Sequence, residues 1–136
     1  MRPVGALLVR HEAASAALVR HQIVDDLARQ RVASDSIDEV ALVATELVGN
    51  AVRHARPSAS GTIDVSWDID DSGVTLRVYD PSDEAPTPRQ PSVDETSGRG
   101  LTIVAAVSDD WGYHRCRSGK EVWARVPVRV GSDAMD

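Results

Sequence analysis

The stretch ELVGNAVRHA, residues 46–55, places Glu46 and Asn50 one helical turn apart, with Arg53 and His54 directly after. A carboxylate and a carboxamide at i and i+4 share one side of a helix. There they supply a base and an oxygen ligand suited to a hard cation such as Mg2+, which takes few protein ligands when phosphates and waters provide the rest. A lone histidine such as His54 is more often packed or surface-exposed than catalytic. A second candidate is Asp80, in YDPSDE after a strand-like run. It either opens a turn or presents a carboxylate that accepts a hydrogen bond from an amine of a base. The third is Gly98-Arg99-Gly100-Leu101, ahead of an apolar helical pattern. Glycines before a helix N-terminus let backbone N–H groups approach phosphate oxygens. A plain helix-entry turn uses glycine too, and the spacing is not that of a Walker A loop. Neither a metal-type spacing of Cys and His nor a G-x-S-x-G nucleophile elbow occurs.

These residues need elements to hold them. Ser36 with Glu39 predicts a capping box, and Ile37, Val40, Ala41, Ala44, Leu47, Val48, Ala51 and Ala55 then mark one stripe of a helix that Pro57 ends. At about 100° per residue, Glu46, Asn50 and Arg53, with Glu39, form a polar stripe opposite it. That stripe is either a solvated face or the floor of a binding site. Leu42, Val43 and Val52 flank it, so the helix is more apolar all round than a surface helix should be. An earlier helix, from about 12 to 30, is predicted from Ala14, Ala17, Leu18, His21, Val24, Leu27 and Ala28, with a short strand over 4–9 before it. From residue 62 the period changes to two. Ile63, Val65, Trp67 and Ile69 alternate with polar residues, DDSG turns the chain, and Val74, Leu76 and Val78 return it as a hairpin. Residues 81–97 carry four prolines in an acidic stretch, a loop long enough to be functional or disordered. A helix then opens, followed by a second hairpin around Ser118-Gly119, in which Pro127 suggests an edge or a strand end. The order β-α-α-β-β-loop-α-β-β predicts an α+β two-layer sandwich, with three main helices on one face of a mixed or antiparallel sheet.

Composition limits the function classes. The 136 residues fit one domain with a single core. Apolar content is 42% without any Phe, so Leu, Val, Ile, Ala and three Trp must fill that core. The single Cys116 excludes an internal disulfide and suits a reducing cytoplasm. His11 and Glu12 interrupt the apolar start, and neither a signal peptide nor a membrane span of roughly 20 apolar residues is present. A net charge of −6 argues against direct binding to nucleic acid.

Taken in order, the Glu-x-x-x-Asn helix, the hairpin ending in Asp80, the proline-rich loop and the Gly-x-Gly resemble the ATP-binding domain of the GHKL superfamily (gyrase, histidine kinases, MutL), a Bergerat-type fold. ELVGNAVRHA and SGRGLTIVAAVSDDWG are similar to the small anti-sigma-factor serine kinases of actinobacterial type. The likeness runs from about residue 10 to 128, within a single histidine kinase/Hsp90-like ATPase domain spanning 1–136 with a short tail from 129. It implies that Asn50 holds Mg2+ against the phosphates of ATP and that Glu46 is the general base toward an attacking serine hydroxyl. It further implies that Asp80 binds the adenine amino group and that residues 81–97 form a lid. Gly98 and Gly100, with Arg99 and Leu101, mark where that lid meets a helix. His54 matches the pattern without a clear chemical task. Implied partners are a sigma factor, an antagonist protein phosphorylated on serine, and a second copy in a cytoplasmic homodimer.

Two departures stand out. Asp80 is followed by Pro81-Ser82-Asp83-Glu84 where the family has Asp-x-Gly-x-Gly. Glu121 takes the place of a threonine that supports the adenine site. The kinase reading therefore stands beside a non-catalytic regulator that binds nucleotide weakly, and a detached histidine-kinase catalytic domain is a third. The chain begins almost directly with the domain, with no phosphoacceptor-helix pair before it, and this counts against the third.

Overall fold

The computed structural model describes residues 4–54, 61–80, 103–116 and 119–129. In chain order the elements are β1 (Val4–Arg10), α1 (Ala14–Arg29), α2 (Ser34–His54), β2 (Thr62–Asp70), β3 (Gly73–Asp80), β4 (Asp110–Cys116) and β5 (Gly119–Val126). A helical segment over 103–107 precedes β4. The five strands form one sheet in the order β1-β2-β3-β5-β4. Every neighbouring pair is antiparallel. The expected α+β sandwich is therefore present, and the sheet is antiparallel rather than mixed.

Alternation decides which face of the sheet is dry. Val9, Ile63, Val65, Trp67, Val74, Leu76, Val78, Ala124 and Val126 are buried, and they meet Val19, Ile23 and Leu27 of α1 and Val40, Val43, Leu47 and Val48 of α2. Val104 of the helical segment is also fully buried. The opposite face carries Asp64, Ser66, Asp68, Thr75, Arg77 and Arg125, with an Arg77–Asp68 ion pair at 3.6 Å. Pro127 follows the end of β5, which is an interior strand, so the proline marks a strand end and not an edge.

The seven described members of the predicted α2 stripe, Ile37 to Ala51, are all buried. Ala55 lies outside the described residues. The α1 stripe differs from expectation: Ser15, Val19, Ile23 and Leu27 face inward, whereas Leu18 is 50% exposed. Alanines on both sides of this helix blur its period. The branched Val19 and Ile23 take the core, and Ser15 is buried because its hydroxyl donates to the Arg10 carbonyl at 2.6 Å.

Both ends of α2 are fixed by neighbours. The predicted capping box does not form, because the helix begins earlier, at Ser34. The Ser36 hydroxyl instead accepts the Arg129 N–H at 3.1 Å, and the Ala33 N–H donates to the Arg129 carbonyl at 2.7 Å. An Arg129–Asp35 ion pair at 2.6 Å adds to this clasp. Ahead of α2, α1 closes in a Schellman arrangement: Arg31 N–H to Ala28 O and Val32 N–H to Leu27 O, both 3.1 Å. Arg31 takes the left-handed position at φ 66. At the far end, His11 Nε2 donates to the Val52 carbonyl at 3.2 Å, one of the carbonyls a helix terminus leaves unpaired.

Two glycines are dictated by space. A β-carbon on Gly5 would lie inside the Trp67 indole. That ring is 4% exposed, and its Nε1 donates to Asp26 at 2.9 Å. Gly73, at φ 154, lets the hairpin turn run against the Val126 carbonyl. In the same turn Asp70 Oδ1 accepts from the Ser72 N–H at 2.8 Å, the Ser72 hydroxyl at 2.9 Å and the Gly73 N–H at 3.2 Å.

Gly5→Ala is expected to destabilise the fold by about 1–3 kcal/mol, the usual cost of overpacking, measured by urea denaturation. An unchanged midpoint would refute the packing of Trp67 on β1. A second expectation concerns acid. The Ser72 amide and hydroxyl, with Arg125 nearby, hold the Asp70 carboxyl below the usual aspartate range. A depressed folded value gives stability that is present above the unfolded value of about 3.9 and lost as pH falls through the folded one. Asp70→Asn should therefore be less stable than wild type at pH 7, with the difference closing in acid. A pH-independent difference would contradict this.

Candidate functional site

The polar stripe of α2 is not uniformly wet. Glu39 and Arg53 at its ends are exposed, and Leu42 on the same side is 42% exposed. Glu46 and Asn50 in between are half-buried. The middle of the stripe is therefore less open to solvent than its ends. Arg53 lies back along the helix, its Nη1 within 3.3 Å of where a side chain on Gly49 would begin. Val43, which flanks the stripe in sequence, is fully buried. His54 is the last residue of α2, and its side chain lies outside the described residues.

Asp80 ends the buried row of β3. Val74, Leu76, Val78 and Asp80 alternate on the covered side, and Asp80 is only 2% exposed. An exposed turn opener would not be enclosed in this way. Burying a carboxylate is costly unless it is compensated, so the position marks a polar site inside an otherwise apolar layer. Because α2 packs on β3 and β5, the fold brings Glu46, Asn50 and Asp80 to the same side of the sheet.

The β3–β5 register adds a residue that sequence reasoning missed and corrects another. Val74, Leu76, Val78 and Asp80 stand opposite Val126, Ala124, Val122 and Lys120, and directly opposed residues share a face. Lys120, half-buried, is therefore the covered-face neighbour of Asp80. Glu121 stands opposite Tyr79 on the open face, where it pairs with His114 at 3.2 Å. It is not beside Asp80, so it does not occupy the adenine-supporting position expected for it. The signal was available: alternation in KEVWARV already groups residue 120 with Val122, Ala124 and Val126.

Gly98, Arg99, Gly100, Leu101 and the expected lid over 81–97 lie outside the described residues. Residues 103–107, directly beyond, are helical.

Among the described residues no group of three or more His, Cys, Asp or Glu side chains is placed to hold a metal ion. No helix among them is long and apolar enough to cross a membrane. A buried acceptor at a strand end, with a half-buried carboxylate and carboxamide on the helix above the same sheet, fits a nucleotide whose base offers an amino group. The single carboxamide Asn50 fits a Mg2+ ion held mostly by phosphate.

Comparison with known proteins gives a consistent picture. No curated protein matches the chain significantly. Among solved structures, the RsbU and RsbW domains of Rv1364c from Mycobacterium tuberculosis superpose with a TM-score of 0.71 at 18% identity, covering 93% of this chain and 32% of that one. The histidine kinase domain of the Erythrobacter litoralis EL346 blue-light activated histidine kinase gives 0.58 at 15% identity, over 85% of this chain and 60% of that one. The Acinetobacter baumannii histidine kinase AdeS gives 0.53 at 12%, over 93% and 69%. This chain thus spans about a third of the length of the first and less than two thirds of the second. At these identities the likeness is one of fold. The sequence profile described as histidine kinase-like ATPase domain matches residues 9–126, most of the chain. The chain belongs to the family of histidine kinase-like ATPase domains.

Proposed function

We propose that the chain is an ATP- and Mg2+-dependent protein serine kinase of the partner-switching type, binding a sigma factor and phosphorylating an anti-sigma-factor antagonist. It acts in the cytoplasm and pairs as a homodimer. The observation that carries this reading is the sheltered Glu46–Asn50 pair on α2, over the sheet face that buries Asp80. The resemblance of ELVGNAVRHA and SGRGLTIVAAVSDDWG to anti-sigma-factor kinases supports it.

Each residue has one task. Asp80 accepts a hydrogen bond from the adenine amino group. Asn50 offers its amide oxygen to Mg2+. Glu46 takes the proton from the serine hydroxyl of the antagonist as that oxygen attacks the terminal phosphorus of ATP and the bond to the bridging oxygen breaks, releasing ADP. Residues 81–97 are the lid, and the backbone at Gly98 and Gly100, with Arg99 between them and Leu101 next in sequence, approaches the phosphates. Mg2+, when bound, neutralises phosphate charge. Phosphoryl transfer asks the protein mainly for positioning and charge stabilisation, so this small set is sufficient.

A second reading has a specific feature in its favour. Pro81-Ser82-Asp83-Glu84 follows Asp80 in place of glycines, adding carboxylates and a rigid ring where the backbone must come close to the nucleotide. On that reading the same fold regulates by binding partners, with weak nucleotide affinity and no turnover.

Calorimetric titration separates the two. Wild type should bind Mg-ATP, and Asp80→Ala should bind it about 10- to 100-fold more weakly, the loss expected for a hydrogen bond to a charged acceptor. Equal binding by both would remove Asp80 from the site, and no heat with wild type at high protein concentration would favour the non-catalytic regulator. With labelled ATP, Mg2+ and candidate antagonists from the same genome, Glu46→Ala should cut phosphate transfer by about 10²- to 10⁴-fold while ATP binding persists. Transfer that survives unchanged would eliminate Glu46 as the base.

A further inference from the structure

We propose that Lys120 is a base-reading residue, set against Asp80 so that the two together offer adenine one acceptor and one donor. The inference rests on the reading of this site as an ATP site, and its starting point is the register. Asp80 and Lys120 are directly opposed across the β3–β5 ladder, in line with the buried pairs Val78–Val122 and Leu76–Ala124. Opposed residues in antiparallel strands carry their β-carbons about 4.5–5.5 Å apart on the same face. An aspartate and a lysine at that separation stand side by side, with the longer lysine able to reach beyond the carboxylate.

Chemistry gives the pair a use. The edge of adenine that carries the 6-amino group also carries N1, a ring nitrogen with a lone pair. A carboxylate accepts from the amino group but only repels the lone pair. An ammonium has three donors and no acceptor, so it satisfies N1 and leaves the amino group to Asp80. Lys120 is half-buried, as this placement requires. Glu121, the next residue, cannot take the role because it belongs to the open face with His114.

The test replaces one atom of the ligand. In 1-deaza-ATP a C–H stands in place of N1, and the amino group is kept. Wild type should bind Mg-ATP about tenfold more tightly than Mg-1-deaza-ATP, the effect of one hydrogen bond from a charged donor. Lys120→Met should weaken ATP binding about tenfold and bind the two ligands equally, and Lys120→Arg should keep part of the preference. A structural role alone would weaken both ligands together and leave their ratio intact. The comparison on wild type needs no variant, so a poorly folding Lys120→Met does not remove the test. Wild-type affinities that are equal for the two ligands overturn the inference, as does a ratio that persists in Lys120→Met. In either case Asp80 and the ATP site stand. Failure of wild type to bind ATP at all overturns the nucleotide reading, and this inference with it.

Discussion

The structure depends on one constraint: the side chains of β3 alternate, and three of them must fill the core. Once Val74, Leu76 and Val78 lie under the helices, Asp80 has no other face available. A slip of one residue would move the whole row to the open side, carrying the carboxylate into solvent and Tyr79 into the core. The β2–β3 turn fixes that register. Asp70 gathers the Ser72 and Gly73 amides, and Gly73 supplies a backbone angle that other residues rarely adopt. The same alternation in β5 places Lys120 beside Asp80 and sends Glu121 away. A polar site thus arises as the continuation of an apolar row.

The helix that faces this row is held as firmly as the strand. Its inner side, from Ile37 to Ala51, is buried throughout. Its start is clasped through Ser36 and Asp35 to Arg129, and its last turn is tied through the Val52 carbonyl to His11. Glu46 and Asn50 sit between those ties, on the side away from the core. Both ties come from near the two ends of the described chain. Glu46 and Asn50 lie outside the buried stripe of α2 and are half-buried beside it.

Much of this was legible in the sequence, for physical reasons. Period-two alternation in TIDVSWDI and VTLRV is strong because each strand has one dry and one wet face, and both strands formed as read. The α2 stripe was equally clear, because its buried positions are uninterrupted by polar residues. The α1 stripe was misplaced because alanine fits either face, so Ala14 and Ala17 gave no direction and Val19 and Ile23 decided it. The capping box failed because α2 starts at Ser34, ahead of the expected cap, and the Ser36 hydroxyl meets Arg129 instead, a partner 93 residues away that no local pattern announces. The burial of Asp80 followed from alternation, but the partnership with Lys120 needed the register between two strands that are not neighbours in sequence. The Glu46–Asn50 pair was visible as a stripe, although its shelter depends on packing that periodicity does not encode.

The central claim is that the polar side of α2 and the end of β3 line one nucleotide site. Amide chemical-shift mapping of the 15N-labelled protein during titration with Mg-ATP tests it most directly. The account predicts that the largest changes fall at Asn50, Glu46, Asp80 and Lys120, with the open-face residues His114, Trp123 and Arg77 little affected. Changes confined to the open face, or none at saturating nucleotide, would contradict it.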